Sequence, residues 1–262
     1  MRIAVVGAGP SGLGCAVELA PDHQVTVIDR LPVAGGETGW QNAHIKKYVS
    51  KAHGSGVSFE LGAMATRWDG TQLIAVSPLG SQKIDVDYLF FAGGIRPSTS
   101  AEIELSGDRP AGVIPATVAL HLLESGVALW HDAVVIGEGH WASEIIAAIT
   151  KQGGKCTSVI TGEAGSDSGV TTIENAKNFK VFGTSRVERF ECDVAEETLK
   201  FTCDAVILAG PARPNRNIEG ALIDPASHCT FVQSTTLVDP QARFDFGRNE
   251  ARMWAKAQGE IR

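Results

Sequence analysis

Three glycines near the start of the chain have the spacing of a phosphate-binding turn. Gly7, Gly9 and Gly12 form a Gly-x-Gly-x-x-Gly unit directly after the apolar run Ile3–Val6. The first glycine allows a tight turn, the second lets a pyrophosphate approach the backbone, and the third lets a helix pack closely on a strand. The free N–H groups at the start of that helix favour an anion. We therefore expect a dinucleotide site at this turn.

An acidic residue ends the next apolar run. Gln24–Ile28 reads as a second strand, and Asp29 follows it, 17 residues after Gly12. A carboxylate at this place accepts hydrogen bonds from the hydroxyls of an adenosine ribose, and it repels a 2′-phosphate. The first site is therefore expected to prefer FAD, NAD or ADP over NADP.

The elements that position these residues can be read from the same segment. Ile3–Val6 has the apolar, β-branched composition of a buried parallel strand. Ser11–Ala20 carries apolar residues at helical spacing. The order of strand, glycine turn, helix and second strand distinguishes a dinucleotide-binding fingerprint from a bare glycine-rich turn.

Composition excludes several other classes of protein. The chain has 262 residues, 44% of them hydrophobic, and a net charge of only −7, which argues against disorder. With 23 Lys and Arg against 30 Asp and Glu there is no basic footprint for nucleic acid. No run of about 20 apolar residues predicts a membrane span. Five scattered cysteines without a CxxC pair indicate reduced thiols in a cytoplasmic protein, with no zinc knuckle or vicinal dithiol.

A second glycine turn opens 130 residues after the first. Gly137 and Gly139 follow the apolar strand 132–136, and Ala142 stands where the first unit has its third glycine. Glu138 lies between the two turn glycines, and a carboxylate is unfavourable beside a phosphate at a helix N-terminus. Two readings stay open: this half binds NAD(H), or it is a structural Rossmann unit without a nucleotide.

The sequence resembles the two-dinucleotide-fold FAD/NAD(P) flavoproteins, the pyridine nucleotide-disulfide oxidoreductase superfamily. The motifs that carry this resemblance are the first glycine unit with Asp29, the pair Gly35–Gly36, and the strand ending Ala92-Gly93-Gly94. A later strand ends in Gly210 and is followed by Arg213-Pro214-Asn215, as in the family. The resemblance implies that Gly35 and Gly36 lie along the FAD pyrophosphate and ribitol.

The resemblance also implies the fold class and the domain organisation. The fold is expected to be α/β, with two Rossmann-like domains, the second inserted in the first. The FAD-binding domain would comprise residues 1–112 and 206–262, and the NAD(P)-binding-like domain residues 113–205. The architecture is similar to that of thioredoxin reductase but lacks its CxxC. Within the inserted domain, Val181–Cys192 and Thr198–Thr202 are expected to be strands.

The C-terminal segment departs from the family pattern. The family ends with a strand into Gly-Asp, whose carboxylate contacts FAD near the ribitol, and this chain has no Gly-Asp there. Asp239 and Asp245 are the two acidic candidates to replace it, and Gly247 and Ala251 are assigned to the final helix. The missing Gly-Asp affects the part of an FAD site that would hold the isoalloxazine ring, and it does not affect the part that would hold the ADP half.

Two functions of different classes follow from the resemblance. The first is an FAD-dependent oxidoreductase without a dithiol, moving electrons between NAD(P)H or a small amine or amino-acid-type substrate, the flavin and an acceptor. The second is an FAD- or ADP-binding subunit of a larger dehydrogenase, similar to the nucleotide-binding modules of multi-subunit amine, proline and opine dehydrogenases and of the trimethylamine dehydrogenase group. The expected partner is a small-molecule substrate or a redox subunit, in an oligomer or hetero-complex, without nucleic acid.

The residues expected to hold cofactors can be given in full, while no catalytic residue is identifiable and no metal-ligand spacing occurs. For the first nucleotide, FAD or ADP alone, they are Gly7, Gly9, Pro10, Ser11, Gly12, Asp29, Arg30, Gly35, Gly36, Thr38, Trp40, Ala92 and Gly93. For NAD(H) at the second turn they are Gly137, Gly139 and Ala142.

Overall fold

The structure, a computed structural model, describes residues 1–127, 130–163, 169–215 and 228–259. The chain divides into two compact units. The first unit comprises residues 1–95 and 214–262, and the second comprises residues 96–213. The second unit is therefore inserted in the sequence of the first.

The helices and strands follow in chain order. The elements up to residue 97 are β1 (Arg2–Val6), α1 (Pro10–Leu19), β2 (Gln24–Asp29), a short 3-10 helix (Gly36–Thr38), α2 (Ala43–Gly54), β3 (Ser58–Leu61), β4 (Met64–Trp68), β5 (Gln72–Ser77), β6 (Gly80–Asp85), β7 (Tyr88–Phe91) and β8 (Ile95–Pro97). The remainder are β9 (Ser106–Gly107), β10 (Val113–Pro115), α3 (Ala116–Glu124), β11 (Asp132–Ile136), α4 (His140–Lys151), β12 (Lys155–Val159), β13 (Thr171–Ile173), β14 (Lys177–Phe182), β15 (Arg189–Val194), β16 (Glu197–Thr202), β17 (Ala205–Leu208), β18 (Ala212–Pro214), β19 (Cys229–Phe231) and α5 (Pro240–Ala257).

The first unit is built on a parallel sheet in the order β19-β7-β1-β2-β3. Alternate residues of β1 enter different cores, as a strand covered on both faces requires. Val5 packs in a cluster with residues of α1, α2 and α5, whereas Ala4 and Val6 join a cluster formed with the antiparallel sheet β4-β5-β6. The strand is thus buried on both sides, and its carboxyl end carries the glycine turn.

The second unit repeats the parallel arrangement and adds an antiparallel layer. Its parallel sheet has the order β10-β17-β11-β12-β13, and a second sheet has the order β16-β15-β14-β9. Val134 and Ile136 of β11 share a core with Phe179 and Phe190 of the second sheet. The observed fold is α/β with two Rossmann-like units, as the sequence predicted.

The unit boundaries differ from those expected at residues 112 and 206. The second unit begins at Arg96 because β9 pairs with β14 inside it, and it ends at Arg213 because β17 lies between β10 and β11. The expectation of one strand over Val181–Cys192 is wrong. That segment spans the end of β14 and the start of β15, which pair antiparallel on either side of a turn.

None of the described helices is long and apolar enough to cross a membrane.

Candidate nucleotide-binding site

The first glycine turn begins at the carboxyl end of β1, where the backbone leaves no room for a side chain. Gly7 has a φ of +109°, and its N–H donates to the carbonyl of Ile28 at 2.8 Å. A Cβ on Gly7 would overlap the carbonyl oxygen of Ala92, the residue that follows β7. A Cβ on Gly12 would overlap the carbonyl oxygen of Gly7. Both glycines are therefore required by close backbone packing.

Gly9 differs from its neighbours because it faces open space. It is the N-terminal cap of α1, its φ is −75°, and a Cβ built on it would meet no atom within 4 Å. No side chain caps this helix end, and Pro10 occupies the first helical position. The first N–H groups of α1, beginning at Ser11, are thus left for an anion.

Asp29 connects the end of β2 to this turn. Its Oδ2 accepts a hydrogen bond from the backbone N–H of Ala8 at 2.6 Å, and its Oδ1 accepts one from Leu31 at 2.8 Å. Each carboxylate oxygen retains a further acceptor position for a ribose hydroxyl. The neighbouring Arg30 is exposed. The carboxylate is held beside the glycine turn, where the sequence placed a ribose-binding group.

The Gly-Gly loop lies directly against the turn. The N–H of Gly35 donates to the carbonyl of Ala8 at 2.9 Å, and a Cβ on Gly36 would stand 3.3 Å from the Cα of Gly9. Gly35 and Gly36 have φ values of +137° and +56°. Thr38 ends the 3-10 helix that follows, and Trp40 is 53% exposed.

The end of β7 completes this surface. Ala92 is buried and donates its N–H to Val6 at 2.8 Å, while Gly93 accepts a hydrogen bond from the side-chain amide of Asn215 at 3.0 Å. The glycine turn, Asp29, the Gly-Gly loop and the pair Ala92–Gly93 therefore lie together at the carboxyl ends of β1, β2 and β7. Such an edge is where open parallel sheets bind ligands.

The two acidic candidates in the C-terminal segment each accept a hydrogen bond from a residue of α5. The Asp239 carboxylate caps the helix by accepting from Ala242 N–H at 2.8 Å, and Asp245 accepts from the side chain of Gln241 at 2.8 Å. After β19 comes Gln233, whose amide donates to the carbonyls of Gly94 and Asn215. The residues between β19 and Asp239, 232–238, carry no charged side chain.

Helix α5 packs tightly on the first turns of α1. A Cβ on Gly247 would overlap the carbonyl oxygen of Ser11, and a Cβ on Gly14 would overlap that of Phe244. Gly247 and Ala251 lie in α5, as the sequence predicted, and both are buried. The C-terminal helix is therefore fixed beside the phosphate-binding end of α1.

Sequence reasoning missed one ion pair beside the first site. The guanidinium of Arg243, in the first turns of α5, lies 3.9 Å from the carboxylate of Glu37 in the 3-10 helix after Gly36. No motif marks either residue. The Asp239-Pro240 pair, a signal for a helix start, could have placed Arg243 one turn inside the final helix.

The second turn matches the first at its opening glycine but differs at the glycine that caps the helix and in its side chains. Gly137 has a φ of +119°, and its N–H donates to Val159 at 2.9 Å, as Gly7 does to Ile28. Gly139 caps α4, has a φ of +92° and faces open space. The buried Ala142 occupies the third position, and Glu138 between the glycines is exposed.

The strand register identifies the counterpart of Asp29 in the second unit. Val6 pairs with Ile28, and Asp29 follows; Ile136 pairs with Val159, and Ile160 follows. Ile160 is 5% exposed and carries no acceptor for a ribose hydroxyl. The second turn therefore lacks the carboxylate that the first turn holds.

The five cysteines have no features of reactive thiols. All are free, and burial is the main cause that raises the pKa of each thiol. The pKa of Cys192 is raised to about 11, and those of Cys156, Cys203 and Cys229 to about 12. A nucleophilic cysteine requires the opposite shift. Among the described residues, no group of three or more His, Cys, Asp or Glu side chains could hold a metal ion.

Comparison with known proteins agrees with this geometry. Residues 1–115 match the family model described as pyridine nucleotide-disulphide oxidoreductase. A curated relative, the NAD(P)H sulfur oxidoreductase (CoA-dependent) of Pyrococcus abyssi (strain GE5 / Orsay), is 30% identical over an alignment 156 residues long. The alignment covers 52% of this chain and 33% of that protein. The matched part thus spans about a third of that relative's length.

Solved structures show the same fold along nearly the whole chain. L-proline dehydrogenase from P. horikoshii matches with a TM-score of 0.66 at 19% identity, covering 99% of this chain and 56% of that one. The water-forming NADH oxidase from Lactobacillus brevis, solved with NADH bound, matches with a TM-score of 0.68 at 15% identity, covering 96% of this chain and 69% of that one.

Proposed function

We propose that this chain, whose residues 1–115 match the pyridine nucleotide-disulphide oxidoreductase family, binds FAD at its first glycine turn and serves as an FAD-dependent oxidoreductase. The observation that carries the proposal is the cradle around Gly9. A Cβ built on Gly9 would face open space, and the helix that follows has no side-chain cap. The Asp29 carboxylate accepts a hydrogen bond from Ala8 of the same turn. These groups fit the phosphates and ribose of an adenine dinucleotide.

The residues of this cradle have distinct roles in binding. The N-terminal N–H groups of α1 bind the pyrophosphate, and Gly9 and Gly36 keep its approach free of side chains. The Asp29 carboxylate accepts hydrogen bonds from the ribose hydroxyls of the adenosine, and its charge repels a 2′-phosphate. FAD, when bound, supplies the transfer of a hydride or of single electrons, which the side chains of this chain do not provide.

The proposed chemistry does not pass through a cysteine. The raised pKa of each thiol keeps it protonated at neutral pH, so none provides a thiolate to attack a disulfide or a persulfide. We propose that electrons move between NAD(P)H or a small amine or amino-acid-type substrate, the flavin and an acceptor. Sulfur chemistry of the kind named for the Pyrococcus relative would need a thiolate from elsewhere.

A second candidate function is favoured by the second turn. Glu138 stands between its glycines and the buried Ile160 replaces the ribose carboxylate, so this half is poorly suited to NAD(H). The chain would then be an FAD- or ADP-binding subunit of a larger hetero-oligomeric dehydrogenase, receiving or relaying electrons for a catalytic partner.

One experiment separates the two functions. The chain is purified alone, its visible spectrum is recorded, and the nucleotide released on denaturation is identified by mass spectrometry. Bound flavin that is bleached by NADH under anaerobic conditions would contradict the subunit function. Colourless protein that releases ADP would contradict the self-sufficient enzyme, and protein that neither holds nor binds any adenine nucleotide would contradict both.

A further inference from the structure

The guanidinium of Arg243 is largely buried but has few partners. Its side chain is 14% exposed, and its Nε donates to the carbonyl of Leu237 at 2.7 Å. Within the described part of the chain this is the only hydrogen bond of the side chain, because the Glu37 carboxylate at 3.9 Å is beyond hydrogen-bond distance. Four of the five guanidinium N–H groups thus have no hydrogen-bond acceptor among the described residues.

Two sets of contacts connect Arg243 to the elements around the first glycine turn. Its ion-pair partner Glu37 directly follows Gly36, which approaches the Cα of Gly9. On α5 itself, Arg243 precedes Phe244, whose carbonyl closes on Gly14 of α1. The guanidinium therefore lies beside the residue that follows Gly36, and the helix that carries it packs on α1. The Gly-Gly loop and α1 are the two elements that form the proposed phosphate cradle.

A largely buried guanidinium with unused N–H donors is stabilised by an anion that accepts two hydrogen bonds from it at once. A phosphate accepts two parallel N–H···O bonds from a guanidinium, which a single carboxylate at 3.9 Å does not provide here. The Leu237 carbonyl fixes the orientation of the fork, and Glu37 limits its repulsion from the positive end of α1 when no anion is present.

We infer that Arg243 is a phosphate-binding residue of the first nucleotide site and selects ligands that carry a pyrophosphate. This inference rests on the proposed function and extends it to a residue outside every motif in the sequence. The site combines the N–H groups of α1 with a side-chain cation, so affinity depends on the phosphates of ADP or FAD more than on the adenosine.

The test compares ligands with and without phosphates on the full chain. Protein freed of bound nucleotide is titrated with ADP and with adenosine by calorimetry, for the wild type and for Arg243→Gln, Arg243→Lys and Glu37→Gln. Lys256→Gln, on the exposed end of the same helix, is the matched control. Circular dichroism melts check that every variant is folded.

Substitutions of Arg243 and of its ion-pair partner Glu37 are expected to change ADP affinity in opposite directions or, for Glu37, not at all. Arg243→Gln weakens ADP binding about 10- to 100-fold, as expected for a charged hydrogen bond, and leaves adenosine binding unchanged. Arg243→Lys recovers part of the loss because it keeps the charge without the fork. Glu37→Gln leaves ADP binding equal or tighter, and Lys256→Gln changes neither ligand.

Other outcomes overturn the inference in distinguishable ways. If wild-type protein binds ADP but the ratio of ADP to adenosine affinity is unchanged in Arg243→Gln, Arg243 has only a structural role. The same holds if Glu37→Gln weakens ADP binding as much as Arg243→Gln does. If wild-type protein binds neither ADP nor FAD, the proposed function fails first. Should Arg243→Gln not fold, the comparison of Arg243→Lys with Glu37→Gln decides.

Discussion

The carboxylate of Asp29 accepts a hydrogen bond from the backbone N–H of Ala8 at 2.6 Å, which ties the end of β2 to the glycine turn at the end of β1. This contact fixes the carboxylate beside the open face of Gly9 before any ligand arrives. In the second unit, Ile160 occupies the corresponding position and no such contact forms with Glu138. Both turns open with a glycine of positive φ, Gly7 and Gly137, and only the first has a carboxylate at this position.

The first prediction concerns the charge of Asp29. Asp29→Asn should weaken ADP binding about tenfold, because a neutral amide is a poorer acceptor for ribose hydroxyls than a carboxylate. The same substitution should weaken the binding of 2′-phospho-ADP less, because it removes the repulsion between the Asp29 carboxylate and the 2′-phosphate. Calorimetric titration with both ligands measures the ratio, and Asp22→Asn, an exposed change after α1, is the control. An unchanged ratio would show that Asp29 does not face the ribose.

The second prediction separates two glycines of one motif. Gly12→Ala should lower the free energy of unfolding by about 1–3 kcal/mol, the usual cost of overpacking, because its Cβ would overlap the Gly7 carbonyl. Gly9→Ala should leave stability nearly unchanged, since its φ is −75° and its Cβ would face open space. The same methyl would crowd a bound pyrophosphate, so ADP and FAD affinity should fall.

Urea titrations and ADP binding measure both variants together. Gly54→Ala, whose Cβ would also meet nothing within 4 Å, is the control for a methyl group far from the turn. Equal loss of stability in the Gly9 and Gly12 variants would contradict the assignment of Gly9 to ligand contact. Unchanged ADP affinity in Gly9→Ala would do so as well.

The parts of the site that the sequence predicted are those formed by contiguous residues. The spacing of Gly7, Gly9 and Gly12 prescribes a turn whose contacts are local to β1 and α1, and Asp29 ends the next strand. Counting along the chain places the counterpart of Asp29 in the second unit at Ile160 or Thr161, and the strand register identifies it as Ile160. Local spacing is informative because the fold of a single strand–turn–helix unit leaves few alternatives.

The parts that could not be predicted depend on pairings between distant segments. Arg243 meets Glu37 only because α5 returns to pack on α1, and no periodicity in either segment encodes that contact. The boundary of the second unit likewise follows from the pairing of β17 with β10 and β11, which separate parts of the chain supply. The second unit therefore includes β9 and residues 206–208 of β17, which lie outside the limits 113–205 expected from the sequence.

The third prediction concerns the cysteines. At pH 7.5 their raised pKa values leave well under about 0.1% of each as thiolate, so the folded chain should react slowly with dithiobis(nitrobenzoate). The rate should rise with pH, because the thiolate fraction increases up to a pKa of about 11 for Cys192 and about 12 for Cys156. The same protein in denaturant, where all five thiols react quickly, is the control. A fast-reacting thiol in the folded chain at neutral pH would contradict the cysteine-independent chemistry.

The fourth prediction concerns acid stability of the second unit. Both oxygens of the Glu102 carboxylate accept from the guanidinium of Arg96, at 2.7 and 2.9 Å, and Oε2 also accepts from the Thr99 N–H at 2.8 Å. The hydrogen bonds from Arg96, followed by that from Thr99, lower the pKa of Glu102 to about 2. A carboxylate whose pKa is lower in the folded state stabilises the fold above its unfolded pKa, about 4.3 for glutamate, and this stabilisation is lost as pH falls through 2.

Glu102→Gln should therefore be less stable than the wild type at pH 6, and the difference should shrink steadily between about pH 4.5 and pH 2. Thermal melts of both proteins across this range measure it. Because the pair is exposed to solvent, added salt should also reduce the difference. Glu197→Gln, an exposed change on β16 of the same unit, is the control. A difference between Glu102→Gln and wild type that stays constant down to pH 2 would mean that the Arg96 fork does not stabilise the carboxylate in solution.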